Sequence, residues 1–159
     1  GADVNARQWP SGDSALHLAV RYRKALAVDW LLERMDPNTQ NGYGWTALHK
    51  ATAEWDAPQY IHTLLKTGAD PFVRNCDGET PFETAISFNR PAGAIALLRD
   101  PRVAASIDPE ELLASVESRK YTEKLSEALR RWFEQQREDE DAPSGVLPPT
   151  TAPPESADE

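Results

Sequence analysis

The sequence predicts an all-α chain, a solenoid of helix-turn-helix units joined by short hairpin loops and closed by a C-terminal pair of capping helices. Three observations carry that reading. The stretch Gly44-Trp45-Thr46-Ala47-Leu48-His49-Lys50-Ala51 has counterparts in Gly12-Asp13-Ser14-Ala15-Leu16-His17-Leu18-Ala19 and in Gly78-Glu79-Thr80-Pro81-Phe82-Glu83-Thr84-Ala85. The pairs Leu31-Leu32, Leu64-Leu65 and Leu97-Leu98 recur in step with it, at a period of roughly 33 residues that belongs to stacked helical repeats. One such unit is too small to bury its own apolar face, so its neighbours supply the core.

Each unit opens on a turn and a cap. Gly12, Gly44 and Gly78 stand two residues before the caps, where a tight turn calls for positive φ. Ser14, Thr46 and Thr80 follow at the helix start, and a hydroxyl there accepts from an orphan N–H of the first turn. Behind Ser14 the residues Leu16, Ala19 and Val20, and behind Thr46 the residues Leu48, Ala51 and Thr52, share one helical face. The second helices read from Leu26, Val28, Trp30, Leu31 and Leu32, then from Ile61, Leu64 and Leu65, then from Ala94, Ile95, Leu97 and Leu98. Asp36-Pro37-Asn38 and Gly68-Ala69-Asp70-Pro71 return the chain to the next unit, with short hairpins projecting there.

These residues resemble the ankyrin repeat, whose usual core reads Thr-Pro-Leu-His-x-Ala-Ala. Thr80-Pro81 keeps the first pair and Gly1-Ala2-Asp3-Val4-Asn5 matches the turn that ends a repeat letter for letter. The resemblance implies the end of a preceding repeat at 1–7, hence a fragment with an upstream repeat, followed by repeats at about 8–36, 37–70 and 71–101. In the first repeat the turn from Arg7 to Gly12 is one residue longer than its counterparts, and in the second Trp55-Asp56-Ala57-Pro58 replaces the usual Gly-His turn. The third runs into Arg99-Asp100-Pro101 with no Gly-Ala before the acid, so its outgoing hairpin is expected to be missing.

Asp108-Pro109-Glu110-Glu111 then starts a capped helix whose buried side is Leu112, Leu113 and Val116. A last helix from about Thr122 carries Leu125, Ala128, Leu129, Trp132 and Phe133 on one stripe. The pair, at about 108–137, reads as a capping repeat that covers the end of the core. A partner-binding role for Trp132 and Phe133 is the weaker reading, because such stripes are usually core. Together 1–137 make one domain, and 138–159 is acidic, Pro-rich and expected to be a disordered tail.

The net charge of −9 falls mostly after Asp100. Direct nucleic-acid binding needs a concentrated Lys/Arg face, and the one local cluster, Arg21, Arg23 and Lys24, reads as a solvated helix end. Cys76 is alone, which excludes an intramolecular disulfide and agrees with a reducing compartment, cytoplasmic or nuclear. No apolar run is long enough to cross a bilayer, and targeting stays undecided. No cofactor motif and no metal-ligand spacing is present. Asp77, Glu79 and Glu83 read as a solvated hairpin rather than a catalytic carboxylate group, since no nucleophile or phosphate cradle accompanies them. No catalytic residue is expected, and the chain is not read as an enzyme.

The resemblance implies instead a non-catalytic module that binds a protein or peptide on its concave face, made of hairpin tips and the exposed positions of the first helices. It also implies that His17 and His49 are struts between neighbouring loops. By position the tips supply Ser11, Asp13, Tyr43, Trp45, Asp77 and Glu79, and the helices supply Arg21, Tyr22, Ala53, Glu54, Ser87 and Phe88. Of these, Tyr22, Tyr43, Trp45, Glu54, Asp77, Glu79 and Phe88 are the candidate contacts, an aromatic patch rimmed by acid. A partner with a basic or mixed surface and a monomeric chain are expected, without membrane. The alternative is a regulatory or targeting segment of a larger multidomain enzyme or signalling protein.

Overall fold

The computed structural model describes residues 3, 6–53, 58–118 and 123–141. Among them the chain runs β1 (Arg7–Gln8), β2 (Asp13–Ser14), α1 (Ala15–Arg21), α2 (Ala25–Leu32), α3 (Ala47–Ala53), α4 (Pro58–Lys66), α5 (Pro81–Ser87), α6 (Pro91–Leu98), α7 (Pro101–Ala105), α8 (Pro109–Glu117) and α9 (Glu123–Asp141). Consecutive helices pair as α1 with α2, α3 with α4 and α5 with α6. An inner row forms where α1 packs on α3 and α3 on α5, and an outer row continues from α4 to α6 to α9. The all-α solenoid of the sequence reading is therefore the fold.

The leucines explain why these helices stack. Leu16 and Leu48 on the inner row and Ile61, Leu64, Leu97 and Leu98 on the outer row are wholly buried in one continuous cluster. Fully burying such a side chain contributes about 1.5–3 kcal/mol. At the C-terminal end α9 adds Leu125 and Leu129, α8 adds Val116, and the two helices pack on each other. Trp132 and Phe133, half-buried against the core, meet edge to face with centroids 5.0 Å apart.

Helix starts are closed by reciprocal hydrogen bonds. At α5 the Glu83 N–H donates to Thr80 Oγ1 (3.2 Å) and the Thr80 N–H to Glu83 Oε2 (2.7 Å), with Pro81 in the first turn. At α1 and α3 a histidine takes the part of that glutamate. The N–H groups of Ser14 and Thr46 donate to Nδ1 of His17 (3.2 Å) and His49 (3.1 Å), so Nδ1 is the bare nitrogen and Nε2 carries the proton. Nε2 then donates across to the next hairpin, from His17 to Trp45 O (2.7 Å) and from His49 to Glu79 O (3.1 Å). Both imidazoles are struts, as the resemblance implies. Burial pushes both below the ordinary histidine value and outweighs the carbonyl bonds that act the other way.

The hairpins themselves form a row. Gly42 N–H donates to Ser11 O (2.9 Å) and Cys76 N–H to Tyr43 O (3.0 Å). Within each turn one asparagine binds two backbone N–H groups: Asn41 Oδ1 takes Tyr43 and Trp45, Asn75 Oδ1 takes Asp77 and Glu79. Gly12 and Gly44 have φ of +69° and +72°, and a Cβ on either would lie within 3.0 Å of the following hairpin's backbone. Glycine is required there for both conformation and approach.

Several details depart from the sequence reading. The extra residue of the first turn makes Gly12 bond Gln8 O (2.7 Å) and lets β1 pair with β2, with Arg7 opposite Ser14. The missing outgoing hairpin is replaced by α7, which the Asp100 carboxylate caps at Arg102 N–H (2.9 Å). The last helix continues to Asp141, past the expected limit at 137. Gly1, Ala2, Val4 and Asn5 of the matched turn, Trp55 to Ala57, and the tail from 142 lie outside the described residues.

Candidate partner-binding surface

Trp45 occupies the middle of the surface. Its backbone is fixed twice, by its N–H on Asn41 Oδ1 (3.0 Å) and its carbonyl on His17 Nε2. The half-buried indole faces the His49 ring (centroids 6.2 Å, 28°) and the edge of Phe88 (5.8 Å, 87°), with Lys50 Nζ 5.4 Å from its centroid. Trp45 thus joins the second hairpin to the end of α5. Phe88 caps that helix and keeps 49% of its surface exposed.

Tyr22 ends α1 at the register position of Phe88, 59% exposed, with the Arg21 guanidinium 5.8 Å from its ring. Tyr43 is 58% exposed at its hairpin tip. Among the described residues neither tyrosine makes a ring contact with the Trp45–Phe88 pair. Glu54, at the register position between Tyr22 and Phe88, lies outside the described residues. Asp77 is exposed, while Glu79 is half-buried and accepts from Ser87 Oγ (2.6 Å) and Thr84 Oγ1 (3.4 Å). Ser87 is exposed as well.

Two positions that the resemblance assigns to this surface belong to the interior. Ala53 is buried and its carbonyl accepts from Arg90 Nε (2.9 Å). Asp13 is buried because Asn41 Nδ2 donates to its Oδ1 (2.7 Å) and the Lys50 ammonium lies 3.5 Å from Oδ2. Burial alone would raise the Asp13 carboxyl, but the Asn41 bond and the Lys50 charge outweigh it and hold it below the usual carboxylate range. Trp45 fills the register position of Asp13, so Asn75 Nδ2, the counterpart of Asn41 Nδ2, is buried with no acceptor among the described residues. Lys50 was legible only as a helix residue; its register partners are Leu18 and Thr84, and no spacing within one repeat marks it as half of a buried pair.

Sequence reasoning also missed a groove of about 360 Å³ between α5 and α8. Phe82, Ile86 and Leu112 give it an apolar floor, and Glu79, Glu83 and Ser115 lie on its sides. Among the described residues no group of three or more His, Cys, Asp or Glu side chains could hold a metal ion, and no helix is long and apolar enough to cross a membrane. What the surface offers is aromatic area, hydroxyls and exposed carboxylates, which is the chemistry of recognition.

Comparison with known proteins agrees with the architecture. The family description "Ankyrin repeats (3 copies)" matches residues 16–109, more than half of the chain. An ankyrin repeat protein of Fowlpox virus (strain NVSL) is 37% identical over 94 residues, covering 56% of this chain and 28% of the viral protein. NF-kappa-B inhibitor delta of Homo sapiens is 36% identical over 112 residues, covering 65% of this chain and 36% of the inhibitor. Neurogenic locus notch homolog protein 1 of Xenopus tropicalis is 41% identical over 83 residues, covering 51% of this chain and 3% of that protein. The chain therefore spans about a third or less of the length of these relatives.

Proposed function

The chain belongs to the ankyrin-repeat family, whose repeats are protein–protein interaction modules, and on that premise we propose that it binds a protein or peptide through its hairpin tips and inner-helix ends, the concave face of the family. One observation carries the proposal. Trp45 and Phe88 from successive repeats meet edge to face while Phe88 stays half in solvent, Tyr43 stands exposed on the hairpin of Trp45, and Tyr22 stands exposed at the end of α1. Aromatic side chains are enriched among binding hot spots. They bury large area at low conformational cost.

Asp77 and Glu79 beside this patch favour a basic or mixed partner surface, mainly through encounter rate. The chain acts as a monomer without catalysis of its own, does not bind nucleic acid or membrane, and works in the cytosol or nucleus, in keeping with its free Cys76. The same surface would serve as a regulatory or targeting segment within a larger enzyme or signalling protein. A photoreactive benzoylphenylalanine at Tyr43 tests the proposal in the native cell. It should crosslink one protein that the same residue placed at His62, exposed on α4 of the outer row, does not reach. Equal crosslinking from both positions would place binding elsewhere.

A further inference from the structure

The row of hairpins stops with acceptors in hand. Ser11 O is bonded by Gly42 N–H and Tyr43 O by Cys76 N–H, and the register counterpart of those two carbonyls is Asp77 O. Among the described residues Asp77 O accepts no hydrogen bond. Gly12 and Gly44 are pressed by the hairpin that follows, whereas a Cβ on Gly78 would meet nothing within 4 Å. The cause is in the chain length. Inner helices begin at Ala15, Ala47 and Pro81, but the next one, α8, begins at Pro109 after a shorter step, because α7 stands where a projecting hairpin would have been built. With no fourth hairpin to hold it, α8 packs chiefly on α9, and the groove over Phe82, Ile86 and Leu112 opens between α5 and α8 beside the free edge.

We propose that this edge and groove take a short extended segment of a partner protein, with an N–H on Asp77 O, an apolar side chain over Phe82 and Ile86, and a Lys or Arg beside Glu79. An exposed backbone edge next to a side-chain pocket is the arrangement used for strand addition, in which main-chain bonds give affinity and the pocket gives selectivity. The charge is one-sided. Glu83 already faces Arg74 at 3.0 Å, while among the described residues the Glu79 carboxylate accepts from the neutral hydroxyls of Thr84 and Ser87 alone, and Asp77 is exposed. The chain's own residues 142–159 are a poor occupant, since they contain Asp and Glu but no Lys or Arg. The site rests on the protein-interaction reading and shares Asp77 and Glu79 with it, but it uses the side chain of neither Tyr22 nor Tyr43, so the two fail separately.

The test is an amide-shift titration of the whole isotope-labelled chain with millimolar acetyl-Ser-Lys-Ser-Leu-Ser-Arg-Ser-amide. Saturable shifts at Gly78, Glu79, Ser87 and Ser115 are expected. Ser115→Trp, at an exposed position that fills the groove, should weaken binding about tenfold or more, and Tyr43→Ala should leave it unchanged. The same peptide with Glu in place of Lys and Arg should not shift these residues. No saturable shift, equal binding of the acidic peptide, an unchanged affinity in Ser115→Trp, or the same shifts from a peptide of residues 142–159 would each overturn the proposal. Loss of binding in Tyr43→Ala alone would move it to the aromatic patch and overturn it here.

Discussion

Replacing Lys50 by Met removes an ammonium and leaves most of its aliphatic stem, so it isolates the charge of the buried pair. Lys50 is 7% exposed, Asp13 not at all, and 3.5 Å separates Nζ from Oδ2. At an effective dielectric near 20, opposite unit charges at that 3.5 Å separation attract by about 5 kcal/mol. Asp13 keeps its Asn41 bond in the variant, and breaking a buried pair on one side costs about 3–5 kcal/mol, so we expect a loss near about 3 kcal/mol. That is a large share of a domain stability of about 5–15 kcal/mol. Urea unfolding of the wild type, Lys50→Met, Asp13→Asn and the double variant measures it, with the double costing less than the two singles combined. The acid limb gives a second reading. The folded pKa of Asp13 is depressed, so its contribution is present above the unfolded value near 3.8 and is lost as pH falls through the folded value. Lys50→Met should shrink that loss. A cost below about 1 kcal/mol, typical of solvated pairs, with an unchanged acid limb would refute the reasoning.

Three further outcomes follow from the same packing. His17 and His49 fold with pKa values below 6.5, so their contribution is complete above that value and is lost as pH falls below it. Denaturant midpoints should drop between about pH 7 and about pH 5, and His49→Gln should reduce the drop. Leu48→Ala, at a wholly buried position, should cost about 2–5 kcal/mol. Thr46→Ala should cost only about 1 kcal/mol, and the reverse order in urea midpoints would contradict the repeat frame.

The frame was legible because identical demands recur along the chain. A turn needing Gly at 12, 44 and 78, a cap at 14, 46 and 80, and a leucine pair in step fix where each helix begins and which face it buries. Three features were not legible, for different physical reasons. Asp13 and Lys50 look like surface charges one at a time, and only packing of the second repeat on the first brings them within 3.5 Å. Arg99-Asp100-Pro101 reads only as the loss of an outgoing hairpin, yet Asp as cap and Pro in the first turn also start a helix, and α7 forms there. The groove depends on how far α8 stands from α5, a distance set by the length of one connection and not by any residue type. Among the candidate contacts, folding back of one or two aromatics onto neighbouring hairpins is legible as a possibility, but which ones is not, because Trp45 meets Phe88 across two repeats while Tyr22 and Tyr43 do not join them.

The most direct measurement is the affinity of the protein crosslinked through Tyr43 for the whole chain carrying Tyr43→Ser and Phe88→Ser together. Binding should weaken by about 30-fold or more, the scale of a hot spot near 2 kcal/mol, while the urea midpoint moves by the equivalent of no more than about 1 kcal/mol, as expected for half-exposed side chains. An unchanged affinity in the folded double variant would contradict the account, because the aromatic patch would then be surface without a partner.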